Sequence, residues 1–152
     1  MKNNPCHIRP ATEDDLAAID AMEKESFPSP WPVDIFRREM QLSFSRSFVA
    51  AEKEIPVGYI FFWVVGHEMQ LHRLAVKKSR RKQGIGSLLL KEMINTCQTE
   101  GITEGSLEVR ASNRDAVDLY QKAGFTIEGV RKGYYDDTKE DALIMLCTIK
   151  RI

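Results

Sequence analysis

The chain has 152 residues, 43% of them hydrophobic and 29% charged, and its 22 basic and 22 acidic side chains balance to a net charge of zero. A single domain spanning residues 1–152 fits that length and can bury roughly 70% of the surface its unfolded chain exposes. Neutral balance argues against a dedicated nucleic-acid binder, and no apolar run approaches the roughly 20 residues needed to cross a bilayer.

Met1-Lys-Asn-Asn-Pro5 leads into polar sequence rather than an apolar export signal. Cys6, Cys97 and Cys147 are odd in number and widely spaced, fitting neither a disulfide framework nor a metal knuckle. A cytoplasmic setting is the expectation. Cys6 to Arg9 reads as a first strand. Thr12 before Glu13-Asp-Asp reads as an N-cap with acids in the first helical turn, followed by an apolar face of Leu16, Ile19, Ala21, Met22 and Phe27. Three prolines between Pro28 and Pro32 exclude regular helix there, and a second helix is expected over Val33–Leu42.

Ser47–Ala51 and Val57–Val65 read as strands joined by a turn at Lys53-Glu-Ile-Pro56, and Met69–Val76 as another strand after a turn near Gly66. Ile85, Leu88, Leu89, Met93 and Ile94 keep helical period, with Gly101 as the stop. Ser106–Ala111 is a predicted strand and Asn113–Ala123 a helix stopped by Gly124. Phe125–Val130 and Ala142–Ile149 are the last strands. Hairpins mixed with crossovers imply a mixed α/β sheet rather than a purely parallel one.

The most informative segment runs from Leu74 to Leu90. A strand ends at Val76, a basic glycine-bearing loop follows, and an amphipathic helix opens at Ile85. Such a loop can aim several backbone N–H groups into one space, and the helix N-terminus adds partial positive charge. Gly84 and Gly86 would let a bulky anion approach the backbone. Five of the six residues from Lys77 to Lys82 are Lys or Arg, so the expected guest is a pyrophosphate. The segment also admits plainer readings, an ordinary turn or a basic nucleic-acid patch. A Walker loop fails because no Gly-Lys-Ser/Thr is present, and a dinucleotide fingerprint fails for want of a third glycine.

Leu74-Ala-Val76 followed by Arg81-x-x-Gly84-x-Gly86 resembles the coenzyme A motif of the GNAT N-acetyltransferases. Leu107-Glu-Val-Arg-Ala-Ser-Asn113, then Ala116, Leu119-Tyr120 and Gly124-Phe125, resembles the RimI-type ribosomal-protein-alanine N-acetyltransferases. Arg131-Lys-Gly-Tyr-Tyr135, Glu140-Asp-Ala142 and Met145 continue the match. The resemblance implies one central, mostly antiparallel mixed sheet flanked by about four helices, with two neighbouring parallel strands splayed apart to admit coenzyme A. It further implies acetyl transfer from acetyl-coenzyme A to a protein N-terminus, such as the Ala or Ser terminus of a ribosomal protein, by direct attack in a ternary complex. Cofactor contacts are carried over to Leu74, Ala75, Val76, Arg81, Lys82, Gln83, Gly84, Ile85, Gly86, Ser87, Asn113 and Tyr120.

Such a transfer must deprotonate an ammonium, stabilise a developing oxyanion and protonate a leaving thiolate. An α-amino group has a pKa near 8, roughly two units below a lysine, so a modest base suffices. Alternation along Leu107-Glu-Val-Arg110 puts Glu108 on the face opposite Leu107 and Val109; it is either a solvated strand acid or the base, and the resemblance favours the base. Tyr120 shares a helical face with Ala116, Leu119 and Ala123, so it is core or, as the resemblance implies, the general acid. Asn113 is a good N-cap, and backbone N–H near Val76 would serve the oxyanion. Trp31, Tyr134 and Tyr135 are the candidate acceptor contacts, with a loop-pinning role for Trp31 as the alternative. Arg73 stands where a small polar residue is common in the resembling sequences, which bears on the N-terminal residue accepted. His7, His67 and His72 lack ligand spacing, so no metal is expected. The rival readings are a lysine or small-molecule amine acetyltransferase and a non-catalytic coenzyme A-binding module.

Overall fold

The computed structural model describes residues 6–151; the Met1–Pro5 stretch read above for export lies outside them. A single seven-stranded sheet carries four α-helices. In chain order the elements are β1 (His7–Pro10), α1 (Leu16–Ser26), α2 (Val33–Glu39), β2 (Ser45–Glu52), β3 (Ile55–Val65), β4 (Glu68–Val76), α3 (Ile85–Thr99), β5 (Glu104–Arg110), α4 (Arg114–Lys122), β6 (Thr126–Arg131) and β7 (Ala142–Thr148). Strand order is β1-β2-β3-β4-β5-β7-β6, antiparallel throughout except for the parallel pair β4–β5. That is the expected mixed α/β architecture.

The helices divide between the faces. Leu16, Ile19 and Met22 of α1 and Phe36 of α2 pack on Val49, Tyr59, Phe61 and Ala75. Leu89, Leu90, Met93 and Cys97 of α3 and Val117 and Tyr120 of α4 pack on Ile60, Phe62, Leu71, Leu107, Val109 and Met145. Period-2 alternation along the strands therefore buries both faces of β3 and β4, which explains the long apolar run through Phe61 and Phe62.

Two local expectations shift. The β2–β3 turn is the two-residue Lys53-Glu54, both at positive φ (50° and 68°), which matches strand twist better than a longer loop. Pro56 then lies inside β3, beside a bulge where the register skips Val57, a place where a strand tolerates a missing donor. Helix α2 ends at Glu39 rather than Leu42, the chain leaving it in turns. The first helix opens through a 3-10 turn over Glu13–Asp15, whose capping box joins Thr12 N–H to Asp15 Oδ2 at 2.8 Å.

Candidate active site

The sheet opens where its strands stop pairing. Partners in β4 and β5 run from Glu68↔Glu104 to Leu71↔Leu107 and no further, although β4 continues to Val76 and β5 to Arg110. A bulge sits at that point. Leu71 faces Phe62 and Arg73 faces Phe61, leaving His72 as the extra residue. A bulge bends its strand and increases its twist, so the ends Arg73–Val76 and Glu108–Arg110 diverge around a gap. Lys77 N–H donates to Val57 O at 2.8 Å. Neighbouring N–H groups on a strand point to opposite edges, so that of Val76 faces the gap.

On the α3/α4 side of the gap lies the basic loop. Lys82 (φ 60°) and Gly84 (φ 86°) adopt left-handed backbone, which turns successive N–H groups the same way. Leu88 is the first α3 residue whose N–H is taken up, by Gly84 O at 3.1 Å. The N–H groups of Ile85, Gly86 and Ser87 have no partner among the described residues. A Cβ on Gly84 would meet nothing within 4 Å, so its surroundings are open. This concave set of free donors at a helix N-terminus suits a phosphate.

Other loop residues act differently from the expectation. A Cβ on Gly86 would lie 2.9 Å from Leu119 Cδ2, so this glycine permits α3 to approach α4 rather than an anion to approach the backbone. Arg80 is paired with Glu52 and donates to Gln83 Oε1 at 3.0 Å. Arg81 donates to Val76 O at 3.2 Å and to Ser26 Oγ at 2.9 Å, fastening the loop to the strand end and to α1. Lys78 N–H donates to Glu25 Oε1 at 2.6 Å. The side chains of Lys77, Lys78 and Lys82 stay exposed and make no ion pair among the described residues. Five basic residues thus do not add equally to the local potential.

On the α1/α2 side, Glu108 is exposed while Leu107 and Val109 are buried, and Arg131 Nε lies 3.6 Å from its carboxylate. Arg110, on the same face, binds Asp137 through two nitrogens at 3.0 and 2.8 Å and lies 4.0 Å from the Tyr135 ring centre. Tyr120 reaches the gap from the opposite face. Its ring is buried beside Phe125, with centroids 6.0 Å apart. Its hydroxyl has no hydrogen-bond partner among the described residues. Burial first, then Tyr135, push its pKa upward, while Arg73 pulls the other way. Tyr135 is likewise raised by burial and feels Arg110, Glu108, Tyr134 and Arg73. Arg73 on β4 and Glu108 on β5 thus lie on the strand ends that diverge around the gap, with Tyr135 stacked on Arg110 of the same strand as Glu108. Asn113 caps α4, its Oδ1 accepting from Ala116 N–H at 3.2 Å.

Trp31 is built into the wall. Its N–H donates to Glu23 Oε2 at 2.8 Å, its ring lies 5.3 Å from Phe36, and the Arg73 guanidinium sits 4.6 Å above it and 4.0 Å above Phe27. Tyr134 is half exposed and meets Tyr135 edge-on at 5.2 Å. The organiser that sequence reasoning passed over is Glu23. It is fully buried and also accepts from Tyr59 Oη at 2.6 Å and from Arg73 at 3.0 and 2.6 Å. A carboxylate four residues after Ile19 on an apolar stripe was the available signal. Arg73 is therefore held by Glu23, not free to meet an acceptor unaccompanied.

Cys97 is buried and its thiol is pushed up to about 12 by burial, which disfavours a nucleophilic thiolate. No cluster of three or more metal-ligating side chains occurs among the described residues, and no helix there is long and apolar enough to cross a membrane.

The sequence profile of the acetyltransferase (GNAT) family matches residues 16–125. A protein of Bacillus subtilis (strain 168), provisionally named a [ribosomal protein bS18]-alanine N-acetyltransferase, is 36% identical over 143 residues, covering 93% of this chain and 95% of its own. The [ribosomal protein bS18]-alanine N-acetyltransferase of Escherichia coli (strain K12) is 31% identical over 137 residues, covering 89% and 92%. A crystal structure of the ribosomal-protein-alanine N-acetyltransferase from Escherichia coli superimposes with a TM-score of 0.88 at 30% identity, covering 97% of this chain and 96% of that one. The chain belongs to the acetyltransferase (GNAT) family and is an acetyl-coenzyme A-dependent acyltransferase.

Proposed function

We propose that the chain acetylates the α-amino group of a protein N-terminus, with the alanine or serine terminus of a ribosomal protein as the acceptor. Similarity to the two alanine N-acetyltransferases supports the choice of acceptor. The observation that carries the mechanism is the disposition of Glu108 and Tyr120 on opposite faces of the β4–β5 gap. An acceptor arriving from the α1/α2 side and a donor lying on the α3/α4 side would meet there.

The donor's diphosphate would lie against the N–H groups of Ile85, Gly86 and Ser87, with Lys82 and Gln83 beside it and Leu74, Ala75, Val76 and Asn113 along its length. Bound there, acetyl-coenzyme A supplies an activated thioester. Glu108 takes the proton that the ammonium must lose. Val76 N–H donates to the carbonyl oxygen as charge builds on it. Tyr120, kept neutral by burial, gives its proton to the departing sulfur. Trp31, Tyr134 and Tyr135 line the acceptor's approach. A pKa near 8 leaves an α-amine partly neutral at physiological pH, whereas lysine demands a stronger base than an exposed carboxylate.

The test is a set of N-terminal peptides against N-terminally blocked, lysine-bearing peptides, with acetyl-coenzyme A and readout by mass. Acetylation of free N-termini alone is expected. Modification of the blocked peptides at comparable rate would refute the acceptor assignment.

A further inference from the structure

Arg73 and Glu108 stand just beyond the last β4–β5 pair, Leu71↔Leu107, one on each side of the gap. Both project toward α1 and α2. Arg73 does so to bond Glu23 of α1, and Glu108 because its neighbours Leu107 and Val109 point into the α3/α4 core. The Arg73 guanidinium is held from several directions. It donates to Glu23 Oε2 from two nitrogens, at 3.0 and 2.6 Å, and to Ser29 O at 3.3 Å. Its centre lies 4.0 Å from the Phe27 ring and 4.6 Å from the Trp31 ring. The Arg73 side chain is only 18% exposed, and that of Glu23 is fully buried. Swinging the guanidinium aside would leave a buried carboxylate unpaired, which is costly. Glu23 also balances its charge, so what Arg73 presents at the gap is bulk rather than repulsion.

We infer that Arg73 is the specificity-determining residue for the acceptor's first side chain, admitting only small ones because it fills the β4 side of the slot. The inference rests on the α-amino reading above, with Glu108 as the base. An α-amine that reaches Glu108 and Val76 N–H carries its first side chain on the carbon one bond from the reacting nitrogen. Glu108 takes the β5 side of that nitrogen, and the donor takes the α3/α4 side. The rest of the acceptor chain leaves along the path by which it came. The first side chain is therefore turned toward β4, where Arg73 stands with Phe27 and Trp31 packed on it. A methyl or hydroxymethyl group fits against that wall. A leucine or methionine side chain would have to displace the guanidinium and break its pair with Glu23.

The experiment measures kcat/KM for matched peptides beginning with Ala, Ser, Leu and Met, using the parent, Arg73→Ala, Arg73→Gln and Ser29→Ala. The parent should favour Ala and Ser over Leu and Met about a hundredfold, the scale on which a pocket rejects extra carbons. Both Arg73 variants should shrink that ratio about tenfold or more by gaining on Leu and Met. A purely structural role would lower all four peptides together and leave the ratio alone. An unchanged ratio in folded Arg73→Gln overturns the inference. So does an equal shift in Ser29→Ala, which loosens the same loop with Arg73 in place. Arg73→Gln keeps an amide donor for Glu23 and carries the test should Arg73→Ala fail to fold. A parent that takes Leu as readily as Ala overturns the size rule and leaves α-amino acetylation standing. A parent that acetylates no free N-terminus sinks both.

Discussion

Ser29 Oγ donates to Asp137 Oδ2 at 2.8 Å, joining two loops that are 108 residues apart in the chain. One loop precedes α2 and the other links β6 to β7, and together they reach Arg73 and Arg110 on the strands that flank the gap, over the proposed acceptor approach. Asp137 also takes two hydrogen bonds from Arg110, whose guanidinium holds its carboxyl well below the usual carboxylate range.

Ser29→Ala should therefore loosen that join without touching the chemistry. An acceptor KM raised about three- to tenfold with unchanged kcat is expected, the scale of the net contribution of one solvent-exposed hydrogen bond. The pH sign follows from Asp137. Its folded pKa is depressed, so its contribution is complete above the unfolded value near 3.9 and is lost only as pH falls through the lower folded value. The acceptor KM should thus carry no Asp137 transition between pH 5 and 9, as a KM–pH profile would show.

Gly84→Asp and Gly86→Ala should fail differently. Gly84 has positive φ and open surroundings, so aspartate costs about 1–2 kcal/mol of backbone strain while placing negative charge against the proposed diphosphate. Loss of acetyl-coenzyme A binding with a folded protein is expected by calorimetry. Gly86→Ala drives a methyl into Leu119 and should cost about 1–3 kcal/mol of overpacking, seen as a lower melting temperature.

Glu108→Gln and Tyr120→Phe separate the proposed base from the proposed acid. Glu108→Gln should reduce kcat by about a hundredfold or more, and the deficit should shrink as pH rises and free amine accumulates. Tyr120→Phe keeps the ring against Phe125 and removes a hydroxyl that has no hydrogen-bond partner among the described residues. Its stability should match the parent within about 0.5 kcal/mol while kcat falls, the two readouts being denaturant melts and initial rates.

Glu23→Leu should be the most damaging of these changes. It strips the partner from Arg73 and leaves the Tyr59 hydroxyl and Trp31 N–H unsatisfied. Breaking a buried pair on one side costs about 3–5 kcal/mol, measurable by urea unfolding.

Sequence periodicity carried most of the fold because strand alternation and helix stops are local. Leu107 and Val109 turn inward and Glu108 outward as their spacing requires, and Gly101 and Gly124 stand at positive φ just past helix ends. What stayed hidden depends on partners far along the chain. Strict alternation through Met69–Val76 would put His72 and Arg73 on opposite faces; the bulge sets both on one. Gly86 answers to Leu119, and Arg80 to Glu52, neither of which lies near the motif. Trp31 could be read as a wall or a contact from its neighbourhood alone, and only Glu23, Phe36 and Arg73 together fix its setting.

The four residue pairs from Glu68↔Glu104 to Leu71↔Leu107 stitch two antiparallel leaves, β1 to β4 and β5 to β6, into one sheet. So short a seam makes the C-terminal leaf, residues 104–148, the natural unit of partial opening. A donor molecule touching both leaves would act as a clasp. Amide deuterium uptake across that leaf should accordingly slow in concert when acetyl-coenzyme A is added.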